Sequence, residues 1–511
     1  MIYAVTGGLE AAFLTDTIQG VFIILLSLML IPFSLAKINS LYGGSSSMDA
    51  LRAVHQQLSE SNFEIFGSVV NVDFTWYYIA ALALMGMINV VIQPNMLVAN
   101  GSAKDEYACR FGFVVGSFMK RLVTVFWGIF AILAIVLYHD QVQNPDLVWG
   151  YATLDLLGPL GFGLVGLMIA CLMAALMSTA DCLMITCSSL LTHNLYQPLV
   201  MGKSERHYIF VGRIIGGLVV IGGALLATQF GSLLQILKFM WEVNVMVAAS
   251  FWLGMKWRRA NRIAAWCSIV STALFFFLLP LLLPNVVSSL RSHPYLLKTT
   301  HPNPMVRTYT VHEMDMVARQ AEIAEWKEMA AEGRAHQPRP IALKLGDTFE
   351  RTFYPGKKFI FWTKGAILGP DGRYQGRGLL NLELVLLEKM GLDLAQNPNA
   401  LNETLRILIR MFVPFCIFFT VALLTKPDDQ KRIDFFFAKM KTQVRTDPQT
   451  DSQEVALSYA HPDRFNHKKL FPNSSWELDK WDKTDVVGFL ISVGGVFSII
   501  YFMKLLVSLG G

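Results

Sequence analysis

The residues best suited to bind an ion lie near the middle of one long apolar segment, residues 162–192. This segment is long enough to span a bilayer, and it carries Ser178, Thr179 and Asp181. A carboxylate at bilayer depth costs about 2.5–3.5 kcal/mol on insertion scales, so it needs a partner, a cavity or an ion. Because hard cations prefer hydroxyl and carboxylate oxygens, the pattern predicts a site for an alkali or alkaline-earth cation.

Helical spacing places these groups on one face of the segment. Ala175, Ser178 and Thr179 stand at positions i, i+3 and i+4, and Asp181 and Cys182 extend that face by one turn. A structural interpretation stands beside this one, because serine and threonine in membrane helices often bond to carbonyls of their own helix or join neighbouring helices. On these residues alone both interpretations stay open.

The composition indicates an integral membrane protein. The 511-residue chain is 53% hydrophobic and 16% charged, and its mean hydropathy is +0.44. Its formal charge of +5 is distributed over loops, so we expect no nucleic-acid partner. The six cysteines lie in or beside apolar segments without metal-binding spacing, so we expect reduced packing residues.

Length and hydropathy predict nine membrane spans. They cover residues 11–36, 75–98, 113–138, 162–192, 207–228, 232–255, 263–284, 404–424 and 485–508. We therefore divide the chain into a core of seven spans (1–284), a soluble insertion (285–403), an eighth span, a polar loop (425–484) and a C-terminal helix (485–511).

The distribution of basic residues predicts the orientation. Lysine and arginine are concentrated in alternate loops, namely 99–112, 193–206, 256–262 and 425–484. By the positive-inside rule these loops are cytoplasmic, so the N-terminus is cytoplasmic and the C-terminus extracytoplasmic. We expect a multi-pass protein of the plasma (inner) membrane.

Two soluble segments interrupt the spans. The extracytoplasmic insertion 285–403 reads as two helices, near 312–333 and 379–391, separated by a turn-rich stretch. We interpret it as a structural cap over the extracytoplasmic ends of the spans, with a lid or docking surface as the alternative. The cytoplasmic loop 425–484 predicts a helix at 434–444 followed by a loosely ordered segment, and the KWRRANR run at 256–262 reads as a cytoplasmic anchor.

Several spans carry polar groups that a simple anchor would lack. Asp16 lies inside the first span, and Asn89, Gln93 and Pro94 lie inside the second. A proline there removes a backbone hydrogen bond, which predicts a broken helix beside a cavity. Interrupted helices with buried acids are typical of secondary transporters.

Lys238 and Glu242 form an i,i+4 pair in the sixth span. They could neutralise each other as a structural ion pair. The alternative is a gate or a contact to a transported solute.

Four stretches resemble the sodium:solute symporter family, which includes sodium–glucose, sodium–proline and sialic acid transporters. They are GGLEAAFLTDTIQG from Gly7, QPNMLVANGSAKD from Gln93, LMAALMSTADCLMITCSSLLTHNLY from Leu172 and WLGMKWRRANR from Trp252. The resemblance implies an all-α polytopic membrane protein with a LeuT-type fold, in which two inverted five-helix repeats enclose ion and solute sites.

The resemblance also implies ligands for Na⁺. In that family one sodium site takes a backbone carbonyl and two hydroxyls from the eighth core helix, and the matching positions are Ala175, Ser178 and Thr179. Some members have a second site that uses the next turn and the Asp of the TD motif, which match Asp181 and Asp16. The neighbouring Cys182 stands where those members have a hydroxyl residue, and a thiol is a poor sodium ligand.

The expected function is sodium-coupled symport of a small organic solute (a sugar, an amino acid or an organic acid) by alternating access, with no enzymatic activity. Sodium would stabilise an outward-open state, and the membrane potential would add about 2.3 kcal/mol per charge per 100 mV. The solute would bind near the second and sixth spans, with these candidate contacts: Asn89, Gln93, Lys238 and Glu242.

Aligned with the family, the chain begins at the fifth core helix. We therefore expect the first four core helices to come from upstream sequence or from a separate chain, and we expect no transport by the 511-residue chain alone. Two other classes stay open. One is a non-transporting remnant or sensor on the same scaffold, and the other is a membrane enzyme, for which the sequence shows only scattered histidines.

Overall fold

The structure, a computed structural model, is built almost entirely from helices. It describes residues 2–58, 60–63, 74–229, 233–301, 304–311, 313–331, 339–353, 356–369 and 372–510.

Nine helices make up the first part of the chain. They are α1 (Ile2–Tyr42), α2 (Ser47–Gln57), α3 (Trp76–Ile92), α4 (Pro94–Gly101), α5 (Glu106–Tyr138), α6 (Val148–Leu157), α7 (Leu164–Leu191), the short α8 (Gln197–Leu199) and α9 (Glu205–Ala227).

The second part holds nine more helices and four strands. The helices are α10 (Leu233–Lys256), α11 (Arg262–Ala273), α12 (Leu279–Val286), α13 (Glu313–Ala331), α14 (Leu382–Lys389), α15 (Asn399–Leu424), α16 (Gln430–Lys441), α17 (Pro448–Ala460) and α18 (Lys483–Val507). The strands are β1 (Met305–Thr310), β2 (Thr348–Phe353), β3 (Ala366–Leu368) and β4 (Tyr374–Gly376).

The membrane spans agree with the sequence prediction. Among the described residues, eight helices are long and apolar enough to cross a membrane, and the bent pair α3–α4 gives a ninth if it is counted as one span. The α11–α12 span is continuous through a π-helical turn at Leu274–Leu278. The chain is thus an all-α polytopic membrane protein outside its soluble segments.

The second predicted span is broken where Pro94 predicted it. Gln93 has an extended backbone between α3 and α4, and the two helices meet at an angle of 49°. Pro94 is the first residue of α4, a position where the missing N–H costs nothing. The break therefore turns the backbone just after the carboxyl end of α3.

The spans pack in two groups with separate apolar cores. In one, α1 packs against α5 and α7, with Leu30, Leu133 and Met168 fully buried between them. In the other, α3, α10 and α15 meet around Tyr78 and Met411. Because α4 also packs against α7, the broken span connects the two groups.

The insertion is a folded unit with its own core, which includes Phe361, Trp362 and Leu384. Both predicted helices are present as α13 and α14. Two antiparallel strand pairs, β1–β2 and β3–β4, were not predicted, because their strands are short and β4 lies inside the turn-rich stretch. Gly376 is required there, since a Cβ would come within 2.0 Å of the Trp362 ring.

The prediction of a loosely ordered segment after the cytoplasmic helix is wrong. The chain forms α16, then α17 with Asp447 capping its first turn, and later buries Glu477 among three cations. Glu477 pairs with Arg258, with Lys441 at 2.5 Å and with Lys469 at 3.1 Å. A mixed-charge segment can pack in this way because its buried charges are paired.

The KWRRANR run is more than an anchor. Arg258 pairs with Glu477 and with Asp434 of α16, and Arg259 donates a hydrogen bond to the Leu423 carbonyl at 2.8 Å. This run therefore holds the 425–484 segment against the ends of α10 and α15, on the same side of the spans, as the predicted topology requires.

Candidate functional site

The packing of α1 against α7 brings three of the predicted ion ligands, Asp16, Ser178 and Asp181, close together. Asp16 of α1 lies beside Ser178 and Asp181 of α7, close enough for the serine hydroxyl and the second carboxylate to act on its charge. Asp181 has 0% of its surface exposed, and Cys182 lies near both carboxylates. Residues more than 160 positions apart in the sequence thus form one acidic group inside the helix pair.

The Asp16 carboxylate is only partly satisfied within this group. Its Oδ1 atom is buried and has no hydrogen-bond partner among the described residues, and no lysine or arginine of the described chain lies within 4 Å of it. A buried carboxylate oxygen without a partner costs free energy. The position therefore favours a bound cation or proton.

In the preceding turn of α7, a hydroxyl bonds to a carbonyl of its own helix, which is the structural alternative to ion binding. The Thr179 Oγ1 donates a hydrogen bond to the Ala175 carbonyl, but the distance between the two oxygens is 3.3 Å. Hydroxyl hydrogen bonds are usually 2.7–2.8 Å long, so this bond is weak. The same two oxygens remain available to a cation, and Thr179 lies on the exposed side of α7.

The donor set is that of a hard cation. Among the described residues, no group of three or more His, Cys, Asp or Glu side chains has the geometry of a metal site. Carbonyl, hydroxyl and carboxylate oxygens are instead the groups that Ala175, Ser178, Thr179, Asp16 and Asp181 offer. Such ligands suit alkali and alkaline-earth ions better than transition metals.

The candidate solute residues lie where α3 meets α10. Asn89 is 1% exposed. Its Nδ2 donates to the Trp241 carbonyl at 3.3 Å, while its Oδ1 is buried without a hydrogen-bond partner in the described part of the chain. Gln93 is half-buried at the break, four residues later. The pair offers amide groups to a polar ligand beside the interrupted helix.

The expected mutual neutralisation of Lys238 and Glu242 is corrected by the structure. Glu242 forms its ion pairs with two arginines of α15, Arg406 at 2.9 Å and Arg410 at 2.5 Å. The Lys238 ammonium lies 5.5 Å from the centre of the Tyr78 ring. The two arginines reach Glu242 because α15 packs against α10, and each guanidinium offers more hydrogen-bond donors than an ammonium.

Sequence reasoning missed the two arginines. Both lie in the first turns of a span that is predicted from its mean hydropathy. That average hides two cations among many apolar residues. The available signal was their i,i+4 spacing, which puts Arg406 and Arg410 on one face of α15. Charged residues in a span need buried partners, but the spacing of the arginines does not identify the acid that pairs with them.

A cavity of about 730 Å³ lies beside the carboxyl-terminal part of α7. Met184, Ser188 and Thr192 line one wall, and Gly212 and Arg213 of α9 line another. Thr192 begins a π-helical turn that ends at Tyr196. The cavity therefore begins one turn beyond Asp181, on the side of α7 predicted to be cytoplasmic.

One protein family and several known transporters are similar to about half of this chain. The model of the sodium:solute symporter family matches residues 1–271. The chain is 26% identical over 311 residues to the sodium/myo-inositol cotransporter 2 of Homo sapiens, covering 53% of this chain and 44% of that protein. It is 25% identical over 316 residues to the sodium/glucose cotransporter of Vibrio parahaemolyticus, covering 56% of each.

A third relative, the sodium/glucose cotransporter 1 of Oryctolagus cuniculus, is 23% identical over 313 residues, which cover 53% of this chain and 46% of that protein. The chain thus spans about half the length of the curated relatives it matches. The comparisons give no support to a separate chain that supplies further helices.

Proposed function

The chain belongs to the sodium:solute symporter family, and from this premise we propose that it forms the ion-binding and solute-binding core of a sodium-coupled symporter. Its cargo is a small organic solute, and it works by alternating access across the plasma membrane. The observation that carries the proposal is the meeting of Asp16 with Ser178 and Asp181 inside the α1–α7 pair.

In this proposal sodium binds along two successive turns of α7. The Ala175 carbonyl and the hydroxyls of Ser178 and Thr179 form one set of ligands, and the carboxylates of Asp16 and Asp181 form the next. The weak Thr179–Ala175 bond, at 3.3 Å, is exchanged for ion coordination. The cation also relieves the repulsion between the two carboxylates, which makes binding favourable at bilayer depth.

The solute binds near the break between α3 and α4. Asn89 and Gln93 supply amide groups, and Lys238 of α10 lies beside Tyr78 of α3. Glu242 does not contact the solute, because its carboxylate is paired with Arg406 and Arg410. It affects this region indirectly, by joining α10 to α15. Since relatives carry the names of myo-inositol and glucose transporters, these two polyhydroxylated compounds are the first probes for the solute.

The orientation in the membrane rests on two independent supports. Basic residues are concentrated in alternate loops, and the 256–262 and 425–484 segments, which this rule places in the cytoplasm, contact each other. We propose a cytoplasmic N-terminus and an extracytoplasmic C-terminus.

The test is solute binding by the purified protein in lipid nanodiscs, with labelled myo-inositol and glucose in NaCl and in KCl. We expect binding in NaCl that falls at least about tenfold in KCl, because the ion and solute share one set of helices. Replacing Ser178 and Thr179 together by Ala is expected to abolish the difference between the two salts.

The matched control is Ser188→Ala with Ser189→Ala, about three turns further along α7. This variant is expected to keep the sodium dependence. Equal solute binding in both salts by the unaltered protein would contradict the proposal, and so would a sodium effect that survives in the Ser178→Ala, Thr179→Ala variant.

A further inference from the structure

A buried ion-pair network joins the insertion to the membrane core. Arg410 of α15 binds two carboxylates from opposite sides. One belongs to Glu242 of α10, at 2.5 Å, and the other to Glu383 of α14, at 2.6 Å. The side chain of Arg410 is 5% exposed and that of Glu383 is 1% exposed. Both pairs are therefore shielded from solvent.

The surroundings of the network are apolar, and its charges are nearly balanced. The Arg410 guanidinium lies 5.6 Å from the ring centre of Phe276 and 5.9 Å from that of Phe277. Arg406 adds a second cation that pairs with Glu242 and with Glu403. Buried ion pairs of this kind are strongly weakened when one partner is removed, because the other charge is left without compensation.

The network ends next to the candidate solute site. Trp241 directly precedes Glu242 in α10, and its carbonyl accepts the hydrogen bond from Asn89. A side chain of the insertion is thus connected to Asn89 through Arg410, Glu242 and one peptide unit. In contrast, the ion pair between Glu388 of α14 and Lys298 lies wholly within the insertion.

We propose that Glu383 and Arg410 are positioning residues, through which the insertion fixes the part of α10 that holds Asn89 in place. This inference rests on the proposed function, since it assigns Asn89 to the solute site. It makes the insertion a working part of solute recognition, whereas a simple cap would only cover the ends of the spans. Movement of α10 during transport then requires α14 to move with it or the Glu383–Arg410 pair to open.

The first test is amide hydrogen exchange of the purified protein and of its Glu383→Gln variant. Gln keeps the shape of the side chain and removes its charge. We expect amides around Trp241 and Glu242 in α10 to exchange at least about tenfold faster in the variant, as loss of one charged hydrogen bond predicts. Amides of α7 are expected to stay unchanged.

The matched control is Glu388→Gln, which neutralises a second buried carboxylate on the same short helix. It is expected to speed exchange in α14 and its neighbours within the insertion, with α10 unchanged. The inference is overturned if Glu383→Gln acts like Glu388→Gln and leaves α10 unchanged, or if it speeds exchange equally in α7 and α10, since that would be general destabilisation.

Glu383→Asp provides the same test with a milder change, because it keeps the charge and shortens the side chain by one methylene. We expect about threefold faster exchange around Trp241, and unchanged exchange there would overturn the inference even if Glu383→Gln did not fold.

Solute and sodium affinities distinguish a positioning role of Glu383 from mere attachment of the insertion to the spans. In Glu383→Gln we expect the half-saturation concentration of solute to rise about tenfold, while that of sodium, bound on α7, stays within twofold. Equal loss of both affinities would overturn the inference. The exchange experiments need no solute or ion, so they decide the role of Glu383 even if sodium-dependent binding, and with it the proposed function, fails.

Discussion

Two groups of buried carboxylates in this protein differ in what neutralises them. Around α15, the carboxylates of Glu242, Glu383 and Glu403 are paired with Arg406 and Arg410. Between α1 and α7, Asp16 lies beside Ser178 and faces a second carboxylate, Asp181, and no ion pair joins it to a described lysine or arginine. We call these the arginine network and the acidic site.

The difference indicates different roles. Charges that are matched by fixed partners stabilise one arrangement of helices, and removing one partner is costly. An acidic pair with no fixed cation on Asp16 leaves its negative charge to be compensated by something mobile. The fixed partner is therefore the feature on which the proposed distinction between a structural role and ion binding depends.

The largest expected effect comes from the arginine network. Arg410→Gln leaves Glu242 with one cation and Glu383 with none, so we expect a loss of about 3–5 kcal/mol in the free energy of unfolding. Urea or thermal unfolding in detergent measures it. The control is Arg110→Gln, which removes an exposed arginine paired with Glu106 at 3.7 Å and should cost under about 0.5 kcal/mol. Similar losses in both variants would contradict the assignment.

A comparable effect is expected at Glu477, outside the membrane. Burial alone would raise the pKa of its carboxyl, but hydrogen bonds from Lys441, Arg258 and Lys469 outweigh it and lower the pKa to about 2, from an ordinary 4.5. Since the folded state then binds its proton less readily than the unfolded state, these pairs stabilise the segment fully above pH 4.5 and lose that effect as the pH falls toward 2.

Replacing Glu477 by Gln should cost about 3 kcal/mol and remove this pH dependence, as measured by hydrogen exchange of α16 and α17 between pH 5 and 2.5 after correction for the intrinsic rate. Asp479→Asn is the control, because Asp479 is about half exposed and pairs only with Lys441 at 3.2 Å. A pH dependence that persists without Glu477 would assign it to another group.

The acidic site should respond in the opposite way. Asp16→Asn removes a charge that has no fixed cation, so without sodium we expect the free energy of unfolding to change by less than about 1 kcal/mol, in either direction. Stabilisation by sodium should be lost. A loss in KCl as large as that of Arg410→Gln would show that Asp16 is held as a structural charge.

The smallest effect is expected at Lys238. Its ammonium lies 5.5 Å from the Tyr78 ring, and Glu242 is already paired with two arginines, so Lys238→Met should cost no more than about 1 kcal/mol. Unfolding under the conditions used for Arg410→Gln tests this. If the two variants were equally unstable, Lys238 would be a full member of the arginine network.

The sequence allowed the spans and the break at Pro94 to be predicted, because each depends on local features, while the ion ligands stay a prediction. Span length and hydropathy are read directly, and helical spacing puts Ala175, Ser178 and Thr179 on one face. The contact of Asp16 with Ser178 came only from the family resemblance, since no local rule joins residues so far apart.

The arginine network could not be predicted, for a physical reason. Pairing of Glu242 with Arg406 and Arg410 depends on how α10 and α15 pack, and the nearest partner in sequence, Lys238, is a weaker match for the carboxylate. The packing of the 425–484 segment was missed for the same reason. Its mixed charges predicted a solvated segment, because the sequence does not show that Arg258 and Glu477 form an ion pair in the folded chain.

Sodium binding at Ser178 and Thr179 of α7 is the central claim. The measurement is the unfolding temperature of the purified protein as NaCl replaces KCl at constant ionic strength. We expect a rise with sodium that corresponds to about 2.7 kcal/mol when sodium reaches 100 times its dissociation constant, and no rise in the Ser178→Ala, Thr179→Ala variant. An unfolding temperature that does not depend on sodium, or an equal rise in that variant, would contradict the account.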